Sequence, residues 1–231
     1  MSKLLVIGAR KDSLGESVAH QARGRWKEVI TAGISGDEDL PLDATSSGQA
    51  WGIMSIHKPD DVVCTVGINE QCEVDDRNIY NQMMAHFDVN CAGVINLLGS
   101  WVNNRPEPDP QRDLLCRFVA VSSNSARIPR RRSAPYCASK AALSMAIQVA
   151  AREFAELAPI QTSIYGYEFG YIDGTPMSQE MPSDGRAPHR IPGSRSLAVY
   201  DAADIIISGL QDTALSYYAN GNMIRIDGGE L

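Results

Sequence analysis

Apolar and polar positions come in alternating blocks along the chain, short apolar runs giving way to longer stretches with helical spacing. Leu4–Ile7 is the first apolar run, and Gly15–Arg23 behind it reads as a helix. Glu28–Thr31 reads as a second strand, ended by Gly33 and Gly36, and Val62–Val66 as a third. Ile79–Ser100 carries Met83, Phe87, Val94 and Leu98 at helical intervals and predicts one long helix. Phe118–Val121 is a further strand, and Ala138–Leu157, rich in alanine and free of Gly and Pro, a further helix. Ile160–Tyr165 and Met223–Ile226 close the series as strands. Strands that alternate with helices in this way predict a parallel α/β sheet covered by helices on both faces. One domain over residues 1–231 is expected, with no internal repeat or low-complexity tract. The Pro-, Gly- and Ser-rich stretch 176–196 is expected to be a long loop inside that domain, of the kind that often lies over a site as a lid.

Composition narrows the class. With 44% hydrophobic and 21% charged residues, the chain is expected to fold around a sizeable core. A net charge of −7 gives no basis for nucleic-acid or membrane-surface binding. No apolar run reaches the roughly 18 residues of a membrane span, and MSKLLVIGAR is too soon interrupted to be a signal peptide. Five scattered cysteines, none in a C-x-x-C pair, suit reduced thiols in the cytoplasm. The four histidines show no metal-ligand spacing, so no metal is expected.

Two places carry candidate chemistry. The first strand runs into Gly8-Ala9-Arg10-Lys11-Asp12-Ser13-Leu14-Gly15 and then a helix. Small residues there let backbone N–H groups approach a phosphate whose charge the helix N-terminus favours, although the spacing is not G-x-G-x-x-G. The second place is Tyr136-Cys137-Ala138-Ser139-Lys140, where Tyr and Lys stand four apart and share a helix face. A tyrosine with its ordinary pKa near about 10 is a poor acid or base at neutral pH, and an adjacent ammonium favours the phenolate. Such a tyrosine can give a proton to a carbonyl or take one from an alcohol. Ser123, thirteen positions earlier at the end of FVAVSS, could hold the same oxygen. Y-x-x-x-K also occurs by chance in helices whose Tyr is half-buried and whose Lys is solvated, so the pair takes its meaning from its surroundings.

Those surroundings resemble the short-chain dehydrogenase/reductase family, in its branch of single-domain enzymes, over nearly the whole chain. YCASKAAL resembles the family's active-site helix, FVAVSS the strand bearing its serine, and DVNCAGV the segment bearing its asparagine, here Asn90. YANGNMIRIDGG resembles the C-terminal strand, and Asp43 in PLDAT the aspartate beside the adenine ring. The resemblance implies a Rossmann-type doubly wound sheet of about seven parallel strands, and hydride transfer between a nicotinamide and a carbonyl or alcohol carbon. It implies that Tyr136 is the acid/base, that Lys140 assists it and holds the nicotinamide ribose, that Ser123 orients the substrate oxygen and that Asn90 holds a water. It further implies that the Gly8–Gly15 loop, Asp43, Ala44, Gly67, Gly170, Ile172 and Thr175 border the cofactor, and that the chain is a homotetramer or homodimer.

The chain departs from the family's T-G-x-x-x-G-x-G. Gly15 fits its last glycine, Ser13 replaces the middle one, and Ala9 falls at the first unless a residue is inserted after Gly8. The N-N-A-G stretch reads Cys64-Thr65-Val66-Gly67, Phe169 precedes Gly170 in place of proline, and Asp173-Gly174-Thr175 suggests an extra residue before the threonine. About eighteen residues after Gly15, where an acid would bind the ribose of NAD, stands Gly33. With no carboxylate there and Arg10 and Lys11 in the phosphate loop, NADP is expected over NAD; Asp37 would take the acidic role if the turn is longer. Arg130, Arg131 and Arg132 are either an anion-attracting cluster beside the site or a solvated face. Tyr165, Tyr167, Phe169 and Tyr171 are candidates for the substrate pocket or the core, and Met181 and His189 for the lid. Two other activities remain open: a nucleotide-binding regulator on the same fold, and an epimerase or dehydratase using the same tyrosine.

Overall fold

The computed structural model describes residues 2–106, 115–157, 162–179 and 196–229. Strands β1 (Lys3–Ile7), β2 (Glu28–Gly33), β3 (Leu40–Pro41), β4 (Asp61–Cys64), β5 (Cys116–Ser123), β6 (Thr162–Phe169) and β9 (Met223–Ile226) form one sheet in the order β3-β2-β1-β4-β5-β6-β9. Every pairing in it is parallel. Two short strands, β7 (Ile172–Asp173) and β8 (Leu197–Ala198), pair apart from it.

The strands are apolar on both faces because both are covered. Along β1, Leu4 and Val6 join one core with Val18 and Ala19 of α1 (Leu14–Ala22) and with Ile206 and Leu210 of α7 (Val199–Gln211). Leu5 and Ile7 point the other way, into a core with Met54 of α2 (Ser47–His57), Leu97 and Trp101 of α4 (Gly93–Asn104) and Leu143 and Ile147 of α5 (Ala134–Leu157). The strand order reverses between β1 and β4, and such a switch point opens a crevice at the strands' carboxyl ends.

Some elements differ from the sequence-based expectation. The long helix over Ile79–Ser100 is divided: α3 (Ile79–Phe87) passes through one π turn, Asp88–Ala92, into α4. The reason is Asn90, fully buried in that turn. Its Oδ1 accepts the Ile68 N–H at 2.7 Å and its Nδ2 donates to the Ile68 carbonyl at 2.9 Å. A π turn inserts one residue into a helix, which here aims the amide at the β4–α3 loop. Helix α5 begins at Ala134, four residues before the expected Ala138, with Pro135 in its first turn, where a missing N–H costs nothing. Strand β4 stops at Cys64; Thr65 keeps one backbone bond to β1, its N–H donating to the Ile7 carbonyl at 2.9 Å, and Thr65 and Val66 line the crevice. Residues 160 and 161 of the expected sixth strand lie outside the described residues.

The amino edge of the sheet, opposite the crevice, is held by a buried ion pair. Asp61 accepts from Arg117 Nε at 2.7 Å, Arg117 Nη2 at 2.9 Å and Trp26 Nε1 at 2.7 Å, and Arg117 also donates to the Leu210 carbonyl. Removing one partner of such a pair strands the other charge, at a cost of about 3–5 kcal/mol. We therefore expect Asp61→Ala to lose about 3 kcal/mol in urea unfolding. A loss under about 1 kcal/mol, the worth of a surface pair, would remove the ion pair from this role.

Candidate active site

At the strands' carboxyl ends lies a cleft of about 450 Å³. It runs from Gly33 and Glu38 at the end of β2, past Gly8 and the start of α1, to Ser123, Tyr136 and Lys140.

The glycine loop forms the near wall. Gly8 has φ 86°, and its N–H donates to the Ala32 carbonyl at 2.8 Å. Its carbonyl accepts from Ser13 Oγ at 3.3 Å and from Thr65 Oγ1 at 3.1 Å. A Cβ on Gly15 would stand 2.6 Å from that carbonyl oxygen and 2.7 Å from Thr65 Oγ1. Gly8, not Ala9, thus occupies the first glycine position, and Ala9 is buried beneath the loop. The inserted residue is absorbed at Asp12, which takes φ 61° in a turn closed by the Ser13 N–H on the Arg10 carbonyl at 3.1 Å. Ser13 then caps α1 by accepting the Glu16 N–H at 3.2 Å. Arg10, Ser13 and Leu14 line the cleft. Lys11 is exposed, and its N–H donates to Asp37 at 3.3 Å. Farther along, Asp43 and Ala44 line the wall, with the Asp43 carboxylate accepting from Thr45 Oγ1 at 2.7 Å.

At the far end, Tyr136 and Lys140 lie on α5, with Ser123 at the end of β5. Ser123 Oγ accepts the Ser125 N–H at 3.1 Å; this uses a lone pair and leaves the hydroxyl proton to be donated. Lys140 is 4% exposed. Its Nζ donates to the Val121 carbonyl at 3.1 Å and stands 5.9 Å from the centroid of the Tyr136 ring. Burial pushes the Lys140 pKa down to about 8, and the neighbouring Cys64 and Cys91 oppose that shift. Gly67 lines the cleft beside the ammonium; a Cβ there would stand 3.2 Å from Lys140 Nζ. Asn90 lies behind the wall, its amide engaged with Ile68 and, at 2.9 Å, with the Ser139 hydroxyl. Ser139 in turn donates to the Tyr136 carbonyl at 2.8 Å.

Gly170, Ile172 and Thr175 line the cleft, joined by Tyr171 and Phe169. Thr175 and Ser178 exchange backbone-to-hydroxyl bonds of 3.1 and 3.2 Å, which start the short helix α6 (Pro176–Gln179) where loop was expected. The remainder of the expected lid, with Met181 and His189, lies outside the described residues. The arginine cluster is absent from the cleft lining: Arg132 pairs with Glu73 at 3.2 Å, Arg131 is exposed and Arg130 donates to Asn124 Oδ1 at 3.4 Å. Tyr165 and Tyr167 belong to the core beside α7.

Two residues were missed from sequence. Thr65 buttresses the glycine loop through its bonds to the Ile7 and Gly8 carbonyls, at 3.0 and 3.1 Å. Glu38 brings a carboxylate to the end of β2, where Gly33 was read, or Asp37 with a longer turn; Asp37 instead accepts the Lys11 N–H and does not line the cleft. Nothing local signals Glu38, because its place depends on how the loop after β2 folds back. The sequence aligns Thr65 with the N-N-A-G stretch, but of that stretch only Gly67 stands out there as a site residue.

A glycine turn at a positive φ, a helix N-terminus behind it and an elongated cleft across the strand-order switch fit an extended dinucleotide. Fold and cleft together define a doubly wound α/β protein with a cleft at its strand-order switch point. The short chain dehydrogenase family profile matches residues 47–185, and the chain belongs to that family. No curated protein sequence matches it. Solved structures with the same fold include a short-chain type dehydrogenase/reductase from Mycobacterium ulcerans, at 20% identity and TM-score 0.78, covering 99% of this chain and 89% of that one. Aldohexose dehydrogenase from Thermoplasma acidophilum aligns at 20% identity and TM-score 0.79, covering 99% and 93%. A short chain dehydrogenase family protein from Francisella tularensis aligns at 19% and 0.77, covering 99% and 98%.

The buried ammonium makes stability depend on pH. Lys140 titrates at about 8 when folded and near about 10.4 when unfolded. Between those values the unfolded chain binds the extra proton, so stability rises with pH. We expect the stability of the wild-type protein relative to Lys140→Met to rise by up to about 3 kcal/mol between pH 7 and 10.5. Urea unfolding across that range checks it, and a difference that stays constant with pH contradicts it.

Proposed function

We propose that the chain is a nicotinamide-dependent oxidoreductase that interconverts a carbonyl and an alcohol on a small molecule, with Tyr136 as the acid/base. The observation that carries this reading is the buried Lys140 ammonium beside Tyr136, in the same cleft as Ser123. A charge is costly to keep out of water, and it is usefully placed where a partner group becomes anionic during reaction. In reduction, Tyr136 gives its proton to the substrate oxygen, and Lys140 stabilises the phenolate left behind. Ser123 donates its hydroxyl proton to the same oxygen and fixes its position. When bound, the nicotinamide supplies or accepts the hydride. Gly8, Arg10, Ser13 and Leu14 would hold its phosphates, Asp43 and Ala44 its adenine, and Gly67, Lys140, Gly170, Ile172 and Thr175 the nicotinamide end. Ala9, Lys11 and Gly15 act from outside the cleft lining, by shaping the loop. Asn90 serves by tying Ile68 to the active-site helix.

Arg10 in the cleft lining supports NADP, and the Glu38 carboxylate in the same lining supports NAD; the titration below decides between them. The reading extends to a single domain over residues 1–231. The five unpaired thiols suit a reducing, cytoplasmic setting. Among the described residues no helix is long and apolar enough to cross a membrane. Met84 and Phe87 on α3 and Met145 and Val149 on α5 are exposed apolar side chains, which supports a homodimer or homotetramer through these helices. Met145→Glu is then expected to yield a smaller species in sedimentation.

The test is fluorescence titration with NADH and NADPH, followed by a panel of small carbonyls and alcohols, with and without Tyr136→Phe. Tyr136→Phe is expected to bind nucleotide as the wild type does and to lose about 10²–10⁴-fold in turnover, the usual share of a general acid/base. Nucleotide binding without turnover on any substrate would favour a regulator, and turnover without net cofactor oxidation an epimerase or dehydratase.

A further inference from the structure

We infer that His86 is a positioning residue for the substrate end of the cleft, fastening the outer part of its wall to α3 through the imidazole ring. The inference rests on the reading that Tyr136 and Ser123 act there on a small carbonyl or alcohol. The wall in question is the segment that leaves β4, where Gly67, Ile68, Asn69 and Glu70 line the cleft. The sheet does not hold it, because the pairings of β4 end at Cys64. Its anchors come from the helix instead. Gln82, His86 and Asn90 follow one another four residues apart along α3 and the π turn behind it, a spacing that puts side chains on one face. Gln82 Nε2 donates to Glu70 Oε2 at 3.1 Å, and His86 Nε2 accepts the Glu70 N–H at 3.0 Å. Asn90 takes both backbone groups of Ile68.

His86 is fully buried, and a polar ring withdrawn from water is costly unless its nitrogens are bonded. Its Nδ1 lies 2.8 Å from the Gln82 carbonyl. A carbonyl only accepts and a backbone N–H only donates, so the ring carries its proton on Nδ1 and keeps Nε2 bare. In that form alone it makes both bonds. An apolar side chain of similar size would fill the space and leave the Glu70 N–H without an acceptor. The bond from Gln82 to the Glu70 carboxylate is open to water and is a weak substitute. Asn90 holds Ile68 separately, so loss of the imidazole frees Glu70 and leaves Gly67 beside the Lys140 ammonium. The consequence falls on substrate binding and not on proton transfer at Tyr136.

The full chain, His86→Leu and His86→Gln test this. Long-range proton–nitrogen NMR of the histidine-labelled wild type is expected to show the His86 ring protonated on Nδ1 alone. Hydrogen exchange by mass spectrometry should show the peptide containing Glu70 exchanging about tenfold faster in His86→Leu, the factor that one lost hydrogen bond is worth. His86→Gln, whose Oε1 can accept in place of Nε2, should return toward the wild-type rate. With the carbonyl that the wild type reduces fastest, His86→Leu should raise KM by about tenfold and keep kcat within about threefold, and His86→Gln should recover most of the loss. A merely structural role would lower the active fraction, and with it kcat, at constant KM. A proton on Nε2 in the wild-type ring, or fast exchange at Glu70 in the wild type, overturns the assignment without recourse to a variant. So does a KM that His86→Leu leaves unchanged. A wild type that turns over no carbonyl or alcohol overturns the catalytic reading, and this inference with it, whatever the ring and the exchange show.

Discussion

A lysine ammonium withdrawn from water is the constraint around which this cleft is organised. Burial pushes Lys140 down to about 8 against the opposing pull of Cys64 and Cys91, and what offsets the loss of water is the Val121 carbonyl and the face of Tyr136. Neither would stand there without the surrounding fold. The carbonyl belongs to β5, which is held on both sides by parallel neighbours. The tyrosine lies one helical turn before the lysine on α5. A Cβ on residue 67 would stand 3.2 Å from Nζ and crowd it, so glycine there leaves the ammonium room at the cleft wall.

The same economy of position extends behind the cleft. Glu168, fully buried on β6, accepts from Ser144 of α5 at 2.9 Å and from Arg127, just beyond the Ser123 turn, at 2.5 Å. Ser144 contacts Ser122 at 3.1 Å, and Ser122 donates to the Lys140 carbonyl at 3.3 Å. This chain of bonds joins β5, β6, the serine turn and the active-site helix, and reaches the cleft wall at Ser122. On the other side, Asn90 spends its whole amide on Ile68 and Ser139. Buried polar groups satisfied in this way give the wall a single arrangement.

The glycine loop shows how an irregular sequence reaches a regular geometry. One extra residue between Gly8 and Gly15 is taken up by a left-handed turn at Asp12, so Gly8 and Gly15 still meet at the distance their missing side chains allow. Thr65, just past the end of β4, bonds the Ile7 and Gly8 carbonyls and fastens the loop to that strand.

Much of this was legible in the chain itself. Apolar runs buried on both faces identify the parallel strands, and the alanine-rich stretch identifies α5, because hydrophobic burial acts locally and leaves its period in the residues. Tyr136, Lys140 and Ser123 were readable because one helix and one strand end carry them at characteristic intervals. Helix α2 left little trace, since it buries only Ala50 and Met54, contains two glycines and exposes Trp51 and Ile56. The break at Asn90, the bonding of Thr65 and the return of Glu38 over Gly33 were likewise beyond the sequence. Each depends on a contact between groups far apart in bond geometry, where a carbonyl, a vacant Cβ position or a folded-back loop supplies what neighbours along the chain do not. Local patterning decided which elements form and which chemistry they carry; only the packed sheet decided which charges face the cleft.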